Sequence, residues 1–185
     1  MATNANNVSF SKPKVGGAVW WAPLGSTLPT STTDTLDEAF VCLGYVSDDG
    51  ITVSHSRNVE TLKAYGGDVV ATPLTEKTDT YAFQLIEVLN EDVQKAVFGA
   101  ANVSGTMASG LTVKHNSNDV PAGCWVIDNV LNGTASRDVI SNGKVTEIGE
   151  ITYKDDELVG YEVTVTAMAG SESFNYDSAK TYMKG

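Results

Sequence analysis

The residue types that most often do chemistry are sparse in this sequence. It has two histidines, His55 and His115, and two cysteines, Cys42 and Cys124. A structural zinc site takes four such ligands, usually in closely spaced pairs, and no Cys-x-x-Cys or other metal spacing occurs. Each cysteine sits in an apolar, strand-like run, where a free thiol serves as a small buried hydrophobe. Neither histidine has an acid or cysteine pattern beside it, so a structural or solvent-exposed role is expected for both. Asp155-Asp156-Glu157 is a carboxylate cluster, but a calcium loop of the EF-hand type needs acids at alternating positions around a glycine. A solvated turn accounts for it better. Gly16-Gly17 and Gly66-Gly67 lack the strand and helix context, and the lysine, of a phosphate-binding loop. No Gly-x-Ser-x-Gly nucleophile elbow occurs. The chain is therefore expected to be no enzyme and to carry no cofactor, metal or catalytic residue.

What remains is architecture. The 185 residues suit one domain with arms, and 42% hydrophobic residues suffice to fill its core. Glycine is abundant at 17 residues, and helix-periodic stretches are few, which favours β structure. Twelve basic residues against 23 acidic ones give a net charge of −11. Such a surface repels a phosphate backbone, so tight nucleic-acid binding is excluded while passage of DNA past it is not. No apolar run approaches the roughly 20 residues of a membrane span. The opening Met1-Ala2-Thr3-Asn4-Ala5-Asn6-Asn7 has neither the basic nor the apolar region of a signal peptide, so folding in the cytosol is expected.

The chain is organised around residues 39–99. An apolar run (39–46) precedes a turn at Ser47-Asp48-Asp49-Gly50, and an alternating strand follows over 51–59. Its second half carries His55 and Arg57 on the less polar face, which predicts that it leaves the core. Residues 60–80 read as a long hairpin excursion about Gly66-Gly67 with little of its own to pack against. Two-stranded hairpins are marginal in water, so this one is expected to dock on another subunit or to be mobile until it does. A second alternating strand over 81–88 leads to the single convincing helix, 91–98. Asn90 is its N-cap, Glu91 and Asp92 suit the positive end of its dipole, and Gly99 suits C′. Val93, Ala96 and Val97 supply the buried stripe.

The remainder reads as strands and turns. Residues 124–131 are apolar on both faces and should be central, and Asn132-Gly133 and Asn142-Gly143 are hairpin signals. Residues 144–154 and 158–169 alternate around the acidic turn. Residues 1–38 read as an N-terminal arm whose Trp20 and Trp21 point to opposite faces when extended. One of them can then enter the core while the other meets a neighbour, or both can pack internally. The tail, 170–185, with Phe174, Tyr176 and Tyr182, reads as a second arm, and 39–169 as the β domain between them.

The string Gly160-Tyr161-Glu162-Val163-Thr164-Val165-Thr166-Ala167, after Gly149-Glu150-Ile151-Thr152-Tyr153-Lys154-Asp155-Asp156-Glu157-Leu158, resembles the C-terminal hairpin of the major tail (tail tube) proteins of long-tailed, non-contractile bacteriophages. The resemblance extends through Leu43-Gly44-Tyr45-Val46-Ser47-Asp48-Asp49-Gly50, Lys63-Ala64-Tyr65-Gly66-Gly67-Asp68 and Phe83-Gln84-Leu85-Ile86-Glu87-Val88-Leu89-Asn90. Tyr65 stands where a tryptophan is expected, and residues 134–141 have no place in the pattern. The resemblance implies a β-sandwich or partial barrel with one short flanking helix, a long hairpin loop and terminal arms. It further implies stacking as hexameric rings into a hollow tube that carries DNA, with tail tip, tape measure and terminator proteins as partners, in a virion tail made in the host cytoplasm. Candidate assembly residues are Leu62, Tyr65, Gly66, Gly67, Val69 and Val70 in the hairpin, with Trp20 and Trp21 in the arm. Candidate lumen-facing acids are Glu147, Glu150 and Glu162. Alternative readings are a β-sandwich ligand- or carbohydrate-binding module and a ring that terminates the tube.

Overall fold

The computed structural model describes residues 3–170 and 176–184. In chain order the strands are β1 (Ser11–Pro13), β2 (Val19–Pro23), β3 (Val41–Cys42), β4 (Val46–Val59), β5 (Leu62–Lys63), β6 (Val69–Ala71) and β7 (Leu74–Leu85). Helix α1 (Glu91–Phe98) precedes β8 (Val103–Thr106), β9 (Gly110–Val113), β10 (Gly123–Leu131), β11 (Thr134–Ile148), β12 (Tyr161–Ala167) and β13 (Ser178–Lys184). The expected mainly β class with one short flanking helix is what the structure has. Nine strands form one antiparallel sheet in the order β3-β2-β10-β11-β12-β7-β4, with β1 also on β10 and β13 also on β11. Two small hairpins, β5–β6 and β8–β9, stand apart, and the described residues contain no closed barrel.

The two central strands each hand over between partners. On its outer side β10 pairs with β2 over 123–127 and with β1 over 129–131. β11 pairs with β13 over 134–140 and with β12 over 143–148. The handover falls at Asn142-Gly143, so the hairpin expected there is absent. The strand runs straight through because Gly143 is needed for a close approach, not a turn: a Cβ there would lie 2.6 Å from the Trp125 ring. Asn132-Gly133 does form the expected turn, with φ of 47° and 83° at its two residues, the left-handed pair of a type I′ hairpin. The turn expected at 47–50 is instead a bulge within β4, between Val46 and Ile51.

One sheet face packs the main core. Val19, Leu43, Tyr81, Phe83, Leu85, Trp125, Ile127, Ile140, Val163 and Val165 lie there, closed by Val93, Ala96 and Val97 of α1. The helix forms as the sequence predicts: Asn90 accepts from the Asp92 amide at 3.0 Å, and Gly99 donates back to Lys95 O at 3.0 Å. Among the described residues the opposite face is covered over β2, β10 and β11, by Leu28, Leu36 and Phe40 against Ala22, Cys124, Val126 and Val139. Trp20 packs on this second cluster and Trp21 on the first, so both adjacent rings face inward, on opposite sides of the sheet. Burial pushes the Cys124 thiol pKa up, which keeps it inert.

The terminal segments are built into the sheet: residues 1–38 supply β1 and β2, and the tail supplies β13. Phe174 lies outside the described residues. Residues 134–141, unplaced by the sequence, are the first half of β11. Its Arg137 is buried and forks onto Asp128 through Nε (2.6 Å) and Nη2 (2.8 Å). Nη1 donates to the carbonyls of Ser31 and Asp34, both at 2.9 Å, and Lys14 reaches Asp128 at 3.2 Å. The cluster holds the covering segment on the sheet.

Candidate functional site

Beyond β11 the second sheet face is open. Antiparallel partners share a face, so the registers define its rows: Lys144, Thr166, Thr80 and Ser54, then Glu147, Thr164, Ala82 and Thr52, then Glu162 and Gln84. Hydroxyls dominate, and Thr146 Oγ1 lies 2.8 Å from Thr166 Oγ1. The three candidate acids, Glu147, Glu150 and Glu162, are all exposed at one end of this surface. A shallow groove of about 480 Å³ lies there, lined by Glu150 and Glu162 together with Asp49 and Glu157. No basic side chain lines it. From sequence Asp49 and Glu157 read only as turn residues, and the β4 bulge and the 149–160 loop bring them to this groove. Lys144, the one cation in the rows, is paired with Asp119 at 2.9 Å.

The second feature is a projecting hairpin. β4 and β7 pair from the core outward, from Ile51 and Phe83 to Val59 and Leu74. The excursion is thus longer at its base than residues 60–80. From Ser54 onward β4 is exposed, as its residue pattern predicted. At the tip β5 and β6 close on a turn in which Gly67 donates to Ala64 O at 3.0 Å. Gly66 and Gly67 have φ of 109° and 98°, and no atom of the described residues would lie within 4 Å of a Cβ at either. Leu62, Tyr65, Val69 and Val70 are exposed, Tyr65 completely. The chain thus brings the six hairpin candidates together on one bare apolar tip, and Trp20 and Trp21 lie apart from them in the sheet.

A third feature escaped sequence reasoning. The β4–β7 register sets His55 opposite Asp79, and Nδ1 lies 2.7 Å from Oδ1. The histidine expected to have no acid partner has one 24 positions away in the chain. Lys77 bridges Asp79 (3.1 Å) and Asp177 (2.7 Å), and Ser178 Oγ donates to Asp79 at 3.3 Å. This fastens β13 to the hairpin base. His115 instead packs edge-on against Phe98, with ring centroids 5.0 Å apart.

The charges of this latch shift accordingly. Burial pushes the Asp79 carboxyl up, but hydrogen bonds from His55 and Lys77 outweigh it and hold it below the usual range. The Lys77 hydrogen bond likewise lowers Asp177, and bonds to Asp177 and Asp79 raise Lys77. Carboxyls lowered on folding stabilise fully above their unfolded pKa, about 4, and lose that contribution as pH falls through the folded values. The raised lysine contributes fully below about 10.5 and loses its part above. The latch is therefore expected to hold from about pH 4 to about pH 10. Desolvation raises Asp138, opposed by Lys180, so acidification relieves that site and partly offsets the loss. Hydrogen exchange, corrected for intrinsic rates, should show β13 losing protection relative to α1 at pH 3 but not at pH 6. In Lys77→Met the difference between the two pH values should shrink.

Among the described residues no group of three or more metal-ligating side chains gathers, and no helix is long and apolar enough to cross a membrane. A solved structure of the anti-feeding prophage cap, the tube terminating cap, is similar to this chain at TM-score 0.47 and 10% identity, over 98% of this chain and 99% of the other. That likeness is too remote to bear on function. No curated protein matches. The family model described as phage tail tube protein matches residues 1–184. The chain therefore belongs to the phage tail tube protein family, whose members are structural components of phage tails.

Proposed function

We propose that this chain is the repeating subunit of a tail tube, self-assembling into stacked hexameric rings around a lumen that conducts DNA into the host. The observation that carries the reading is the pairing of an open, hydroxyl- and carboxylate-lined sheet face with a hairpin whose apolar tip has no cover of its own. Among the described residues the 14-residue strand β4 also forms one end of the sheet and pairs with β7 alone. A long free edge invites pairing with another chain, and ring closure removes that hazard. The open face then lines the lumen, with Glu147, Glu150 and Glu162 repelling phosphates so that DNA passes without specific binding. The subunit acts without catalysis, in the virion tail after synthesis in the host cytoplasm. Tail tip, tape measure and terminator proteins set where its polymer starts and ends.

Negative-stain electron microscopy of concentrated protein, with and without a tail-tip complex, tests the reading beside the Gly66→Pro, Gly67→Pro double variant. Proline fixes φ near −65°, against the positive values found, and removes the Gly67 donor. Leu62, Tyr65, Val69 and Val70 at the tip are all exposed, so the variant should remain folded, with stability changed by about 1 kcal/mol or less. Tubes or stacked rings in the parent and none in the folded variant are expected. Compact monomers in both, even with tail tips added, overturn the proposal.

A further inference from the structure

A second groove is about twice the volume of the acidic one. Residues 11–18 and the segment 44–51 enclose a groove of about 1030 Å³. Val15, Tyr45, Val46 and Ile51 give it an apolar floor and lip, and Val15 and Tyr45 are largely exposed. Lys12 stands on one wall, with Asp48 and Asp49 on the other. The groove lies at the start of β4, whereas the apolar tip lies past its end. One strand therefore runs from a concave apolar site to a convex apolar tip. The tip carries Lys63 on β5 and Asp68 just before β6, charges opposite to those of the two groove walls.

We propose that this groove is the receptor for the hairpin tip of a second copy of the chain, with Tyr65 and Val69 seated against Tyr45 and Val15. Lys63 then faces Asp48 and Asp49, and Asp68 faces Lys12. The contact is heterologous: tip and groove are different surfaces at opposite ends of one strand, so a copy bound through its tip keeps a free groove and the contact can propagate as an open stack. The residues between Gly50 and Tyr65 set the longest axial step, about 50 Å at roughly 3.3 Å per residue. The inference rests on the tube-subunit reading and adds the address of the hairpin on its neighbour.

A photo-crosslinking phenylalanine analogue placed at Tyr65 tests it, with tubes imaged before irradiation and peptides mapped by mass spectrometry. Cross-links to residues 11–18 or 44–51 of another copy are expected. Tubes whose cross-links map elsewhere overturn the groove while leaving the tube subunit standing. A chain that forms neither tubes nor cross-links, alone or with tail tips, overturns both. Tyr45→Glu supplies a second readout, since Tyr45 is exposed and its loss leaves the core intact. It should raise the concentration needed for tube formation about tenfold or more, as loss of a central aromatic anchor does. An unchanged concentration also overturns the groove assignment.

Discussion

Arg137→Ala is expected to cost about 3–5 kcal/mol of stability, the range for breaking a buried ion pair from one side. The guanidinium and the Asp128 carboxylate are both almost fully buried. Removal of the arginine leaves that carboxylate in a low-dielectric site with only the half-exposed Lys14 to offset it. It also strips the donors from the Ser31 and Asp34 carbonyls. That second loss loosens the 24–40 segment, whose Leu28, Leu36 and Phe40 cover Ala22, Cys124, Val126 and Val139. At about 2–4 °C per kcal/mol for a chain of this size, the melting temperature should fall by on the order of 10 °C. Arg137→Met with Asp128→Leu removes both charges and should recover most of the loss, because apolar replacements of a buried pair are often close to neutral. If Arg137→Ala alone melts within about 2 °C of the parent, the ion pair is not what holds the covering segment.

Trp125→Ala should cost a similar amount, about 3–5 kcal/mol, for a different reason. The ring is 1% exposed, tilted against Phe83 at 6.2 Å, and its Nε1 donates to Gly143 O at 3.2 Å. Truncation opens a cavity where β10, β11 and β12 meet and removes the indole donor from the Gly143 carbonyl. Gly143, which lies against the ring, has no side chain to move into the space. Trp125→Phe keeps most of the packing but loses the donor, so it should fall well short of the alanine loss. Chemical denaturation of the three proteins separates the cavity from the hydrogen bond, and equal losses in Phe and Ala would assign the whole effect to the bond.

What the sequence made legible was local. Helix α1 announced its cap, its stripe and its stop within ten residues, and the Asn132-Gly133 turn needed only two. The bare tip was readable because its apolar residues had no neighbours in the pattern to pack against. The failures share one cause, which is that the deciding partner lies far away in the chain. Asn142-Gly143 reads as a turn until Trp125 is known to lie beneath Gly143. Arg137 lies in the stretch 134–141 that has no place in the pattern until Asp128 and the Ser31 carbonyl are set around it. His55 looks unpartnered until the β4–β7 register brings Asp79 across. The acidic surface was legible as a charge total, but the membership of Asp49 and Glu157 depended on a bulge and a loop.

The placement of β2 has a consequence for how the protein is made. Trp20 and Trp21 leave the ribosome early, yet their strand completes its pairing only when Val126 and Trp125 arrive, about a hundred residues later. At about 5–20 residues per second that delay lasts roughly 5–20 s. Throughout it a short strand bearing two indole rings has no main partner and no sheet to join. Nascent chains stalled before residue 123 should therefore bind holdase chaperones through residues 19–23 and release them once β10 has emerged. The step that governs yield in the cell is then the wait of the first strands for the sheet's centre, before any subunit meets another.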